Sequence, residues 1–134
     1  TFILKQPKQP SAFTLAIANA NLLAAYKAGV TLVTGSDAGN PPTVHGPTVH
    51  REMQLWVQAG IPPAIALEAA TFNAAKLLGA GGRMGAIRKG YEATFIIVDG
   101  NPLKDIGATE RISTLLFKGE RIRRQDLFDD EKSK

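Results

Sequence analysis

The chain has no cysteine, and that absence excludes disulfides, thiolate metal ligands and cysteine nucleophiles while leaving the compartment open. No apolar run approaches the roughly 20 residues of a membrane span, so a membrane is not among the expected partners. Aromatic residues are sparse, at 7%. None interleave with the late basic residues Lys118, Arg121, Arg123 and Arg124, and Asp129, Asp130 and Glu131 follow them. A net charge of +4 ending in such a mixed-charge tail argues against nucleic acid as a partner. An initiator Met is also lacking, and the opening TFILKQPKQPS does not have the charged-then-apolar pattern of a signal peptide. It reads as an interior starting point. Any targeting segment would then lie upstream, with the cytoplasm as the favoured compartment.

What is present, 134 residues of which 44% are hydrophobic, suffices for one core of ordinary size. Ser11 to Ala28 (SAFTLAIANANLLAAYKA) predicts a helix rich in Ala and Leu, capped by Ser11 behind Pro10 and closed by Gly29. Val30 to Thr34 is a short β-branched run with the look of a strand buried on both faces of a parallel sheet. A second helix is expected from about Thr48 to Ala59, with Val49, Met53, Trp56 and Val57 on one face and Gly60 at its end. Pro62 and Pro63 start another through Ala70. Thr71 is expected to cap the next, TFNAAKLLG, which Gly79 ends.

After GAGGR the periodicity shortens. Ala93 to Val98 (ATFIIV) reads as a strand that stops at Asp99-Gly100-Asn101-Pro102, and Ile112 to Phe117 and Arg121 to Arg123 flank Lys118-Gly119-Glu120 as a hairpin. Helix, strand and polar loop are α/β logic, and a β-rich end follows. The domain boundary is placed near Gly81, dividing residues 1–80 from 81–134. Three strands make a poor core alone, so further strands are expected upstream.

Two motifs invite a functional reading and carry a plainer one. GAGGRMG, Gly79 to Gly85, is glycine-rich like a phosphate-cradling loop, but such loops join a strand to the start of a helix. Here the glycines follow a helix and precede a strand, the order of a helix cap and linker. His45 and His50 (HGPTVH) are five apart, which is not the i, i+4 spacing that puts two metal ligands on one helix face. His50 with Glu52 reads as a solvated or capping arrangement near a helix N-terminus. His45, in a loop expected over the same end of the sheet as Asp37, is the better candidate for contact with substrate.

The stretch TLVTGSDAGN, Thr31 to Asn40, holds the main candidate. An Asp between glycines is ordinary turn chemistry. In α/β barrels and open parallel sheets, however, active sites lie at the carboxyl ends of the strands, and Asp37 stands at such an end. A carboxylate there can ligate a metal ion and accept a proton from a metal-bound water. Gly35 and Gly39 would let backbone come close.

The order GVTLVTGSDAG, HGPTVHREMQLWVQAGIPPAIALEAATFNAAKLLG and GAIRKGYEATFIIVDGNPL resembles the C-terminal portion of a metal-dependent amidohydrolase. Within that superfamily it is most similar to the imidazolonepropionase-like group, which includes prolidase-type dipeptidases. The likeness covers about Ala28 to Phe117. It rests on the aspartate strand, the A-A-T-x-N-A-A helix (Ala69 to Ala75) and the G-x-I-x-x-G and D-G-N-P-L segments together. The resemblance implies an α/β fold: residues 1–80 as the last strand and helices of a (β/α)8 barrel, and 81–134 as C-terminal strands of a small β-sandwich. It implies hydrolysis of a small amide or peptide substrate with one or two divalent metal ions, zinc first, with Mn, Fe or Co as alternatives. Asp37 would be the eighth-strand aspartate, both metal ligand and proton carrier. Thr94 departs from the family, which usually has Asp there, and a local hydrogen bond is in question. Faces of the barrel and sandwich often assemble in this family, so a homo-oligomer is a further implied partnership.

The family's remaining ligands, an H-x-H pair, a carboxylated lysine or glutamate and two further histidines, have no counterparts in this sequence. The expectation is therefore a piece of a longer hydrolase, with its N-terminal part as the necessary partner and no activity alone. Two other readings stay open: an interaction domain that keeps the barrel scaffold, and a non-metal enzyme using Asp37 as general base with His45.

Overall fold

The computed structural model describes residues 14–39, 44–123 and 125. Helix α1 (Leu15–Lys27) begins at Thr14, whose hydroxyl accepts from the Ile17 N–H. Thr14 thus takes the capping role expected of Ser11, which lies outside the described residues. Ala and Leu line α1 on all sides and none of its residues is buried. α2 (Pro47–Gln58), α3 (Pro63–Glu68) and α4 (Ala74–Leu77) follow.

Helices α1, α2 and α4 end alike. A glycine takes positive φ after each, 77° at Gly29, 100° at Gly60 and 70° at Gly79. The next N–H reaches five residues back, from Val30 to Ala25, Ile61 to Trp56 and Ala80 to Ala75. This closure satisfies the last carbonyls of a helix through left-handed backbone, which glycine adopts without strain.

The break expected at Thr71 does not occur. Between α3 and α4, Ala69–Asn73 winds as a π-helix and the helical run continues through it. The Thr71 hydroxyl donates to the Leu67 carbonyl at 2.7 Å, so it serves the turn before it instead of capping a new one. Gly85 comes up against this wide turn. A Cβ at Gly85 would lie 2.6 Å from Ala75 Cβ and 2.9 Å from the Thr71 carbonyl oxygen.

Val30 to Thr34 also departs from expectation. Among the described residues it forms no strand ladder, and an isolated bridge follows at Ala38. A parallel strand is defined by its neighbour, and among the described residues no second strand lies beside it. Helices hold the stretch instead: Ala69 O accepts from Thr34 N–H at 3.4 Å, and Asn73 Nδ2 donates to Leu32 O at 3.1 Å.

The core gathers where α2, α3 and the 3-10 turn Ile106–Glu110 meet. Met53, Ala66 and Ile106 are buried together, with Trp56, Val57, Leu67 and Ala70 packed against them. Met53, Trp56 and Val57 come from the face expected of α2. Two hydrogen bonds join the same elements, His50 to Thr109 and Gln54 to Glu110. The core and these bonds span residue 81.

The sheet is antiparallel in the order β1 (Phe95–Val98), β2 (Ile112–Phe117), β3 (Glu120–Ile122). The β2–β3 turn places Lys118 at φ 52° and Gly119 at φ 89°, the doubly positive two-residue turn whose twist matches a hairpin. Thr94 answers the question raised by its identity. Its hydroxyl accepts from Lys118 N–H at 3.0 Å and donates to Glu92 at 2.8 Å.

Candidate active site

Asp37 sits at the end of the Val30–Asp37 stretch with φ 49°, one of two described non-glycine residues at positive φ. Asp is among the few side chains that tolerate this region, and a residue held there is a common mark of a functional position. Gly39 follows at φ 107° and completes a sharp change of direction. Gly35 is not required by crowding, since a Cβ there would meet nothing within 4 Å. The same holds for Gly39, so among the described residues no close neighbour calls for glycine at either position.

Among the described residues, three contacts hold the backbone leading to Asp37. Asn73 holds Leu32, the Ala69 carbonyl holds Thr34, and the Glu52 carboxylate holds Gly35. The last contact uses both oxygens, at 3.2 and 3.1 Å from the Gly35 nitrogen. Glu52 comes from α2, half-buried, and burial pushes its carboxyl above the ordinary 4.5 while the Gly35 N–H pulls it back. The capping arrangement with His50 is thereby corrected, because Glu52 turns toward the Asp37 stretch. Its signal was present in the spacing: 49, 52 and 56 share a helix face, so Glu52 is an acid on the apolar stripe of Val49 and Trp56.

His45 lies exposed in the turn before α2, beyond residues 40–43, which are outside the described ones. Among the described residues, Glu52 joins α2 to the Asp37 stretch. His50 is not a solvated partner of Glu52, because its Nδ1 lies 3.0 Å from the Thr109 hydroxyl. That hydroxyl also lies 2.8 Å from the Ile106 carbonyl. The histidine therefore bridges α2 and the 3-10 turn. In GAGGRMG, Gly79 closes α4 and Gly85 fits the π-helix, as a cap and linker would.

A catalytic zinc takes three protein ligands. Among the described residues no group of three His, Cys, Asp or Glu side chains is placed to hold a metal ion. Asp37 is an oxygen donor of the right kind. Alone it does not make a metal site.

Residues 13–122 match the model of the Amidohydrolase family. The chain is 36% identical over 114 residues to ochratoxinase of Aspergillus niger, covering 80% of this chain and 23% of that protein. It is 37% identical over 83 residues to imidazolonepropionase of Geobacillus sp. (strain WCH70), covering 61% and 19%. Among solved structures it is similar to a Xaa-Pro dipeptidase with methionine bound in the active site, at a TM-score of 0.72 and 32% identity over 78% of this chain and 25% of that one. The chain thus spans about a quarter of the length of these relatives.

Proposed function

The chain belongs to the amidohydrolase family, and from that premise we propose that it carries the proton-transferring aspartate of a hydrolase that cleaves C–N amide bonds in a peptide-like or cyclic amide substrate. The activity belongs to a longer protein. Residues 1–80 then supply the last strand and helices of its (β/α)8 barrel, and 81–134 the C-terminal strands of its sandwich. The observation that carries this reading is Asp37, held in left-handed backbone at the end of a stretch clamped from α2 and from the π-helix.

A carboxylate so placed has a definite task. As the oxygen of water bonds to the amide carbon, one Asp37 oxygen takes the proton that water loses. When the C–N bond breaks, the same oxygen returns that proton to the leaving nitrogen, so no charge is left on either product atom. One or two divalent ions, held by Asp37 together with ligands from beyond the described residues, would supply acidification of the water and polarisation of the carbonyl. His45 contacts the substrate in this reading. Strands from elsewhere in the longer protein cover the open sheet.

The test is Asp37→Asn in the complete enzyme. An amide cannot take the proton, so kcat should fall by about a thousandfold with little change in melting temperature. Near-normal turnover would remove Asp37 from the mechanism. The 134 residues alone should be inert, and amide hydrolysis by that polypeptide with bound metal would overturn the reading of it as one part of a larger site.

A further inference from the structure

We propose that Glu52 is the positioning residue of Asp37, accepting the Gly35 N–H from α2 so that the chain turns into Asp37 at a fixed place and angle. This rests on the proposed role of Asp37. The neighbouring clamps, Asn73 on Leu32 and Ala69 on Thr34, act earlier in the stretch. Between Gly35 and Asp37 only Ser36 intervenes, so the Glu52 contact acts on the backbone two residues before the carboxylate.

Two features make this contact more than a filled hydrogen bond. Its two parts are 17 residues apart in sequence, so it joins separate elements rather than closing a local turn. It also anchors on a rigid element. α2 carries Met53, buried in the core beside Glu52 in sequence, and is tied to the 3-10 turn through His50 and Gln54. Any displacement of α2 would therefore be passed through one carboxylate to the backbone two residues before Asp37. Misplacing a reacting group by about 1 Å can cost about a hundredfold in rate.

The experiment compares Glu52→Gln, Glu52→Asp and Glu52→Ala in the complete enzyme, reading kcat and KM and, separately, amide hydrogen exchange at Gly35. Gln keeps an acceptor at the same reach and should retain most of kcat and of the Gly35 protection. Asp keeps the charge but is one methylene short, and should resemble Ala. Both should show faster Gly35 exchange and a kcat lower by tenfold to about a hundredfold, with KM within about twofold of wild type. Should Ala fail to fold, the Gln and Asp pair still separates reach from charge. Retention by Asp with loss in Gln would overturn the proposal, as would unchanged exchange and kcat in Ala. A wild-type protein without hydrolase activity would sink the functional reading, whereas unchanged Gly35 exchange would sink the contact itself.

Discussion

Around α2 apolar side chains are closed over, with Met53 exposing 4% and Ile61 1% of their surface, while in the sheet Ile96, Ile97 and Phe117 expose 42%, 49% and 51%. Composition does not explain the difference, since β1 (FIIV) and β2 (ISTLLF) are more apolar than α2 (PTVHREMQLWVQ). What separates them is the number of elements that converge. Met53 is covered by α3 and the 3-10 turn as well as by its own helix. The sheet has three short strands, and a cavity of about 590 Å³ lies beside β1 between Ile87, Tyr91 and Phe95. A three-stranded sheet needs a covered face to be stable. The Asp37 stretch is anchored to the closed region, through Glu52 on α2.

The contrast can be broken from the closed side first. Met53→Ala removes most of a side chain that has neighbours on several elements, and should cost about 3 kcal/mol in urea unfolding. A cost under 1 kcal/mol would mean that the α2 core is as loose as the sheet. Next comes the seam. Gly85→Ala places a methyl against Ala75 and the Thr71 carbonyl while keeping φ at 88°, so overpacking and left-handed strain add to about 2 to 3 kcal/mol. An unaffected midpoint would show that the linker does not seat on the π-helix. On the open side, Ile97→Ala should cost less than about 1 kcal/mol, because about half of that side chain is already in water. A larger loss would show that something covers β1 in the protein measured.

Features written into local backbone chemistry were legible in the sequence. The helix-ending glycines at 29, 60 and 79 and Gly119 in the β2–β3 turn all take positive φ, which glycine supplies without strain. The α2 stripe was legible for a similar reason, since 3.6-residue spacing maps directly onto one face. Features that depend on a distant partner were not. Val30 to Thr34 has the composition of a strand, but a ladder needs a second strand, and in its place Asn73 and Ala69 hold the backbone. The π-helix at Ala69–Asn73 shares its residue types with ordinary helix. Its winding is met by Gly85 and by the stretch it clamps, both remote in sequence. Asp37 could be singled out by its place after an apolar run, whereas Glu52 required seeing that an acid occupied an apolar stripe.

The smallest expected effect concerns the link between the closed region and Asp37. Burial raises the Glu52 carboxyl above 4.5, and the Gly35 N–H only partly offsets it. Below the ordinary carboxylate value both folded and unfolded chains hold the proton, and Glu52 adds no pH dependence. As pH rises through 4.5 toward the raised folded value, the unfolded chain ionises first, so the folded state binds more protons and loses stability relative to it. Above the folded value the loss is complete and constant. Glu52→Gln cannot ionise and escapes it. Wild-type stability minus that of Glu52→Gln should therefore fall across this window and level off above it, as read from urea midpoints at a series of pH values. A difference that rises with pH would mean that the Gly35 hydrogen bond outweighs burial. Glu52 would then stabilise the fold in its ionised form, and the anchor of the Asp37 stretch would carry no cost to the closed region that holds it.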